Sequence, residues 1–379
     1  MTFLAASSIQ QLDQPDGMPS LSQRGRASMQ FLGAAQRYSS SVLRPVARAD
    51  FESDPEGRAV IAQAAANTPP SGKPEWLSQA RRVAEKSANF QMERFLQRIV
   101  AEEVFLRGVP AVEECRPAFQ RYLDAPLKDT GSTLELDPTL PIPDYYQGVE
   151  WHLQIGGWDG FDLYGPFFAL VAGPHVFRHG GYAAVGAGDD IIAQRKGFIA
   201  QLPRKDYRRI YEPGCGGFST LACAHAAFPQ AELVGSDLSP TLLRMGYTTS
   251  RRLGVTAHFK QRDCRDTRES DGSFDAVLMY ALLHEMPPKD AVATIREAYR
   301  ILAPGGDLVI SDPPPFRAVD PFQAVVLEWD TAHREEPFFT AAASANWSQA
   351  LGEAGFTDVA EYAIGQHGYP WITRGHKPG

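Results

Sequence analysis

The chain has 379 residues, of which 44% are hydrophobic and 22% charged, and its formal net charge is −8. This composition is typical of a globular protein with room for two domains, and the acidic balance argues against nucleic acid as the main partner. No apolar run reaches the roughly 18 residues of a membrane span, and the N-terminus lacks the pattern of a signal peptide. We therefore expect a cytoplasmic protein without a membrane partner.

The four cysteines predict neither a disulfide framework nor a metal site. Cys115, Cys215, Cys223 and Cys264 show no metal-ligand spacing, and no Cys-x-x-Cys pair occurs. Reduced thiols are the expected state in the cytoplasm. The sequence thus gives no reason to expect a metal cofactor.

The N-terminal part, residues 1–175, is predicted to be a mainly helical domain. Its first 75 or so residues are rich in Ser, Ala, Gln and Pro with weak periodicity, which predicts loose order. Residues 78–108 carry apolar side chains at three- and four-residue steps between charges, which predicts an amphipathic helix that Gly108 and Pro110 end. The segment 126–148 is rich in turn residues, and 145–171 concentrates aromatic residues and glycines.

The C-terminal part, residues 176–379, has the pattern of a second domain. From about residue 206, short β-branched or apolar runs alternate with helical stretches, and the runs are RRIYE, AELVGSD, TAHFKQRD, FDAVLMY and GDLVISD. The tail adds the strand-like segments TDVAEYAI and YPWITRG. This alternation is typical of an α/β fold with a parallel, doubly wound sheet.

A glycine-rich turn, YEPGCGGFST (211–220), follows the first of these strands. Such a turn binds either a dinucleotide or S-adenosylmethionine, but the dinucleotide fingerprint requires a glycine where Ser219 stands. Glu212 disfavours a pyrophosphate and suits a cationic amino-acid moiety. Asp237 and Asp263 end the next two strands, where acids meet the ribose hydroxyls and the adenine edge. A helix N-cap remains the alternative for Asp237, and a solvated strand end for Asp263.

These segments resemble the class I S-adenosylmethionine-dependent methyltransferases over about residues 195–379. The matching pieces, in the family's order, are YEPGCGG, LVGSDLSP, RDCRD, SFDAVLMYALLHEMP, AYRILAPGGDLVISD and LGEAGFTDV. The resemblance implies a Rossmann-like domain with a seven-stranded, mostly parallel sheet. It also implies S-adenosyl-L-methionine as cofactor and S-adenosyl-L-homocysteine as product. The cofactor-binding residues that it implies are Glu212, Gly214, Gly216, Asp237, Leu238, Asp263, Cys264 and Tyr280. One departure is Phe218, where the family often has a third glycine.

The segment LHE, residues 283–285, resembles a narrower group, the two-domain small-molecule O-methyltransferases of the plant-phenol type. In that group the corresponding histidine is the general base, and N-terminal helices form a dimer. The resemblance implies His284 as general base and a homodimer through the N-terminal helices. Met286 replaces the group's tryptophan, and quinone-type methyltransferases place a histidine here without using it as a base. A pocket-lining His284 therefore stays open as an alternative.

An insertion at about 313–340 follows the strand that ends at Asp312, and such an insertion commonly covers the substrate. Its candidate substrate-binding residues are Phe322, Trp329 and His333, with His284 and Asp312 beside them. His333 is a second candidate base, and Tyr280 is placed near the reacting methyl group. Packing against the N-terminal domain is the alternative for each aromatic residue. Residues 177–190 are expected to close over the methionine end, with Tyr182 and Arg195 near its carboxylate.

The sequence thus predicts a methyltransferase that acts on a small molecule, with a hydroxyl oxygen as the preferred acceptor atom. A nitrogen, carbon or sulfur acceptor is the first alternative. A non-catalytic S-adenosylmethionine-binding protein is the second, although the intact set of Glu212, Asp237, Asp263 and His284 argues against it.

Overall fold

The computed structural model describes residues 18–179, 191–365 and 368–379. Between residues 18 and 123 the structure describes six α-helices: α1 Gln23–Tyr38, α2 Arg44–Ser53, α3 Pro55–Asn67, α4 Leu77–Ala84, α5 Ala88–Glu114 and α6 Arg116–Leu123. A π-helical turn, Ser39–Leu43, joins α1 to α2. None of the helices that the structure describes is both long and apolar enough to cross a membrane.

The N-terminal helices correct two expectations. Residues 18–67 are not loosely ordered: the Ser22 side chain accepts from Gly25 N at the start of α1, and Met29 is fully buried on that helix. Weak sequence periodicity concealed this order because α1 is stabilised by packing rather than by a regular apolar stripe. Helix α5 also continues through Pro110 to Glu114 instead of ending at Gly108.

The segment between the helices and the second domain consists of short turns and helices. The 3₁₀ turns are Trp151–Leu153, Gly157–Asp159 and Phe177–His179, and the short helices are α7 Tyr164–Phe167 and α8 Gly173–His175, joined by the π turn Phe168–Ala172. Phe167 packs against Phe105 of α5, with ring centroids 5.8 Å apart. Gly165 N donates to Thr241 Oγ1 at 3.0 Å. This segment therefore connects the N-terminal helices to the second domain.

An eight-stranded mixed sheet forms the centre of the second domain. Its strands are β1 Thr133–Glu135, β2 Arg209–Pro213, β3 Glu232–Asp237, β4 His258–Gln261, β5 Phe274–Tyr280, β6 Leu302–Asp312, β7 Thr357–Ala363 and β8 Trp371–His376. They lie in the order β1-β4-β3-β2-β5-β6-β8-β7, and only the pairs β6–β8 and β8–β7 are antiparallel. The prediction of a mostly parallel sheet is confirmed.

The eighth strand was missed by the sequence analysis, which expected seven. Strand β1 comes from the turn-rich segment 126–148 and pairs with β4, Leu134 facing Phe259 in the register. It is three residues long, too short to show an alternating pattern. The sheet therefore includes a strand from the predicted N-terminal part.

Helices cover both faces of the sheet, as expected for a doubly wound fold. They are α9 Ile191–Ile199, α10 Ser219–Ala227, α11 Pro240–Arg252, α12 Pro288–Ile301 and α15 Trp347–Ala354. Two further helices, α13 Pro321–His333 and α14 Phe339–Ser344, contribute to the cluster of the N-terminal helices instead. Local signals fix several of their ends. The side chains of Ser239 and Asp320 accept from the third residues of α11 and α13, and Gly355 ends α15 in the left-handed conformation.

The strand order reverses between β2 and β5, which lie side by side although β3 and β4 intervene in sequence. In open parallel sheets, ligands bind at the carboxyl ends of the strands at such a reversal. Glu212, Asp237 and Tyr280 stand at the ends of β2, β3 and β5, and thus at one edge. The fold therefore brings the predicted site residues together.

Candidate active site

A cavity of about 280 Å³ lies at this edge of the sheet. It is lined by the glycine-rich turn with Glu212 and Asp237, by His284, and by side chains from the segment 145–179 and the insertion. Of the cofactor residues predicted from sequence, all but Asp263 line it: Glu212, Gly214, Gly216, Asp237, Leu238, Cys264 and Tyr280.

The glycine-rich turn requires its first two glycines. Gly214 and Gly216 have φ of +64° and +51°, which glycine adopts without steric cost. A Cβ on Gly214 would lie 2.6 Å from Leu282 Cδ1, whereas a Cβ on Gly216 would meet nothing within 4 Å. Phe218, at the family's third glycine, also has a left-handed φ of +84°. Its ring is fully buried and packs 5.7 Å from that of Phe259, which favours this strained conformation.

Glu212 is a buried carboxyl group at the end of β2. Its Oε2 atom has no hydrogen-bond partner among the described residues. Burial raises the pKa of Glu212 to about 8, although Thr220 and Arg195 act in the opposite direction. A buried carboxyl with one unpaired oxygen is a site for a cationic or hydrogen-donating ligand group. It fits the ammonium of a methionine moiety.

Asp237 fixes the turn after β3 and does not cap helix α11. Its Oδ2 accepts from Gly216 N at 3.0 Å and its Oδ1 from Ser239 N at 2.9 Å, while Ser239 itself is the N-cap. Burial raises the pKa of Asp237 to about 6. The carboxylate thus connects the turn after β2 to the end of β3 and faces the cavity, as ribose binding requires.

The position of Asp263 differs from its expected adenine contact. Its carboxylate pairs with Arg265 at 2.6 Å, and Arg265 reaches Asp290 at 2.9 Å. The neighbours Arg262 and Cys264 line the cavity instead. Successive side chains along an extended segment point to opposite sides, so the residues next to Asp263 face the cavity and Asp263 does not.

Tyr280 and Arg195 meet at the same edge. The Arg195 guanidinium lies 4.5 Å from the Tyr280 ring centroid, and its Nε donates to Thr220 Oγ1 at 3.2 Å. Both line the cavity. Tyr182, the other expected contact, lies outside the described residues.

His284 is buried and forms a close pair with Asp312. Its Nδ1 lies 2.5 Å from Asp312 Oδ1, and its Nε2 lies 3.4 Å from Glu285 Oε1. Burial lowers the pKa of His284, but Asp312 and Glu285 outweigh that effect and raise it well above the ordinary value. Phe339 packs edge-on at 5.4 Å. Asp312 does not line the cavity itself and holds the imidazole from behind.

The sequence analysis did not predict that three cavity residues meet beside His284: His152, Glu285 and Glu336. His152 Nε2 lies 2.8 Å from Glu336 Oε1 and 3.6 Å from Glu285 Oε1, and all three line the cavity. They are far apart in the chain, so no local spacing predicts that they meet. His152 lies within the aromatic segment 145–171, whose Trp158 packs against its ring at 5.0 Å, and this segment is the one available sequence signal.

The insertion packs against the N-terminal helices, which is the alternative that the sequence analysis left open for its aromatic residues. Phe322 is buried against Phe51 and Phe90 at 5.8 and 5.9 Å, and Trp329 lies 4.6 Å from His333. Phe322, Trp329 and His333 are absent from the cavity lining of the described structure, which corrects their expected substrate role. The apolar face of α13 covers the N-terminal helices, and its polar end, Asp330 with Arg334 and Glu336, reaches the cavity instead.

Comparison with known proteins agrees with this geometry. Residues 210–306 match the sequence profile described as "Methyltransferase domain". These residues belong to the class I S-adenosylmethionine-dependent methyltransferases. The expected methyltransferase domain and its cofactor are thereby confirmed.

The relatives of this methyltransferase domain have the names of different methyltransferases. A demethylmenaquinone methyltransferase of Thermus thermophilus is 34% identical over 128 residues, which cover 34% of this chain and 57% of that protein. A ubiquinone biosynthesis O-methyltransferase of Xanthomonas oryzae is 33% identical over 104 residues, covering 27% and 42%. The chain spans about half the length of the curated relatives it matches. Among solved structures, a putative O-methyltransferase from Nostoc punctiforme matches with TM-score 0.43 and 16% identity, covering 54% of this chain and 61% of that one.

Proposed function

We propose that the whole chain is a methyltransferase that moves a methyl group from S-adenosylmethionine to a hydroxyl oxygen of a small molecule. The observation that carries the proposal is the buried His284–Asp312 pair at the acceptor end of the cavity, opposite Glu212 and the glycine turn. The name of the Xanthomonas relative, an O-methyltransferase, supports the same acceptor atom.

The residues of the methionine end hold and orient the cofactor in this proposal. When bound, S-adenosylmethionine supplies a methyl group on a positively charged sulfur. Glu212 pairs with the ammonium through its unpaired Oε2, and Asp237 accepts from the ribose hydroxyls. Arg195, whose guanidinium lies over the Tyr280 ring, would meet the methionine carboxylate. This fixed orientation aligns the methyl group with an incoming oxygen, and alignment is the main catalytic contribution in a displacement.

His284 acts as the general base in the proposal. His284 acts as a base only in its neutral form, and its raised pKa places that form at a pH above the ordinary range for histidine. In that form Nδ1 donates to Asp312, and Nε2 receives the proton of the acceptor hydroxyl. Asp312 and Glu285 stabilise the imidazolium that results. The aromatic rings of Phe168, Phe177 and Phe339 around the cavity suit a fairly apolar acceptor and exclude water.

The test is a screen of small-molecule acceptors with isotope-labelled cofactor, with mass spectrometry to locate the added methyl group. We expect methylated oxygen. His284→Ala should lower kcat by about 10²-fold or more, the usual size of a base contribution, while the Kd for S-adenosylmethionine stays unchanged. Asp237→Ala should show the reverse pattern and weaken cofactor binding.

Three results would contradict the proposal. Folded protein that binds no cofactor removes the methyltransferase assignment. A methyl group found on carbon, nitrogen or sulfur removes the oxygen acceptor. Unchanged turnover of His284→Ala at saturating cofactor removes His284 from proton transfer and leaves it as a pocket residue.

We also infer a homodimer formed through the N-terminal helices. Phe31, Tyr38, Val42 and Val46 follow one another along α1, the π turn and α2 with between 44% and 64% of each side chain exposed. An exposed apolar stripe of this kind supports a protein contact. The expected cytoplasmic location remains a prediction, supported by the four free cysteines.

A further inference from the structure

His152, Glu285 and Glu336 form a compact cluster at the acceptor end of the cavity. The three come from the turn Trp151–Leu153, the turn Leu283–Glu285 and the segment after α13. Their ligand atoms, one imidazole nitrogen and two carboxylate oxygens, all lie within 4.8 Å of one another. The cluster adjoins His284, whose Nε2 is 3.4 Å from Glu285 Oε1.

The two distances from His152 Nε2 to the carboxylate oxygens match the edges of a coordination polyhedron. Two ligand atoms that are each about 2.1 Å from a divalent ion lie about 3.0 Å apart at a right angle and about 3.4 Å apart at the tetrahedral angle. His152 Nε2 is 2.8 Å from Glu336 Oε1 and 3.6 Å from Glu285 Oε1. Small side-chain movements would therefore place all three around one ion.

The unsatisfied oxygens of the cluster point to a ligand beyond the His152–Glu336 contact. Glu336 is 7% exposed and lines the cavity, yet its Oε2 has no hydrogen-bond partner among the described residues. Glu285 Oε2 likewise has no hydrogen-bond partner among the described residues. Buried carboxylate oxygens normally have partners, because leaving one unpaired is energetically unfavourable. The single Nε2 of His152 cannot satisfy both side chains.

We infer that His152, Glu285 and Glu336 bind one divalent first-row transition-metal ion, such as Zn²⁺ or Mn²⁺, at the acceptor end of the cavity. An imidazole with two carboxylates suits these ions, whereas Ca²⁺ prefers a shell of oxygens alone. Three protein ligands also leave coordination positions for a molecule in the cavity.

The site would act on the acceptor, and this role rests on the proposed function. The acceptor oxygen binds the ion, which lowers the pKa of its hydroxyl group. The O–H bond breaks, the proton passes to His284, and the oxygen electron pair forms the new bond to the methyl carbon as the carbon–sulfur bond breaks. An acceptor with a second oxygen beside the reacting one would bind best, because it can fill two coordination positions.

The test uses the full chain, freed of metal with a chelator and then dialysed. Titration calorimetry with ZnCl₂ and separately with MnCl₂ should give one ion per chain. Glu336→Gln and Glu285→Gln should each bind at least tenfold more weakly, because each loses a charged ligand. His258→Gln is the matched control: it removes an imidazole on β4 that contacts Thr133 of β1, and it should bind as the wild type does.

The affinity for S-adenosylmethionine serves as the folding control, since none of the three cluster residues is a predicted cofactor-binding residue. If one of the Glu→Gln variants loses cofactor binding, the ion affinities of the other variant and of His152→Gln test the inference. Absence of stoichiometric ion binding by the wild type, or unchanged binding in two folded variants, overturns the inference.

Activity separates this inference from the proposed function. Metal-free enzyme that transfers methyl groups at the full rate, and binds no ion when titrated, refutes the metal site and leaves the methyltransferase proposal intact. Enzyme that binds one ion through these residues but transfers no methyl group refutes the proposed function and leaves the site intact.

Discussion

At the scale of single residues, the Glu212 carboxyl group links cofactor binding to protonation. In the cofactor-free protein, burial raises its pKa from 4.5 to about 8. Between those two values the folded chain holds a proton that the unfolded chain has lost. This carboxyl therefore makes the cofactor-free protein less stable as the pH rises through that range. A bound ammonium group favours the ionised carboxylate and reverses this dependence of stability on pH.

Cofactor binding at pH 7 should accordingly release about one proton from Glu212, because that carboxyl is mostly protonated below its raised pKa. Calorimetry in buffers of different ionisation enthalpy measures this number. Glu212→Gln should release close to none and bind the cofactor more weakly. Glu232→Gln, a matched change at an exposed glutamate on β3, should behave like the wild type. Equal proton release from Glu212→Gln and the wild type would contradict this assignment.

At the scale of elements, helix α13 joins the two parts of the described chain. Phe322 fills the space between Phe51 of α2 and Phe90 of α5, and the guanidinium of Arg48 lies 4.9 Å from its ring centroid. Farther along, Arg94 lies over Trp329 at 4.8 Å. The helix thus carries Asp330, and after it Glu336, to the cavity on a support built from N-terminal residues.

Phe322→Ala should lower the free energy of unfolding by about 3–5 kcal/mol, because it removes a fully buried ring from this contact. Chemical denaturation followed by circular dichroism measures the change. Leu106→Ala on α5, where the side chain is 52% exposed, is the control and should change stability by less than about 0.5 kcal/mol. The affinity for cofactor should be unchanged in both. A loss for Phe322→Ala as small as that of the control would show that α13 does not depend on this contact.

At the scale of the whole molecule, the N-terminal helices have two different surfaces. One surface is buried against α13 and against the segment 145–179, through Phe51, Phe90 and Phe105. The other presents the exposed residues of α1 and α2 to solvent. The buried surface stabilises the active-site end of the chain, and the exposed one is available to a second copy.

Sedimentation velocity should give the wild-type chain twice the mass of one copy at micromolar concentration. Phe31→Glu should shift the protein to the monomer, since a charge in an apolar contact is costly to bury. Gln30→Glu adds the same charge at the neighbouring exposed position and should leave the dimer intact. A wild-type protein that sediments as a monomer would refute the dimer.

The sequence alone determined the strands β2–β8, the glycine turn and the acids at the strand ends, because these depend on local patterns of two to ten residues. It therefore predicted the cofactor, with a one-residue shift from Asp263 to its neighbours. Only the tertiary structure decided what faces the acceptor. His152, Glu285 and Glu336 meet through packing between distant segments, whereas Phe322 packs among the N-terminal helices and Trp329 lies under Arg94. Which residues face the acceptor depends on contacts between segments that are far apart in the chain, and such contacts produce no periodic pattern in the sequence.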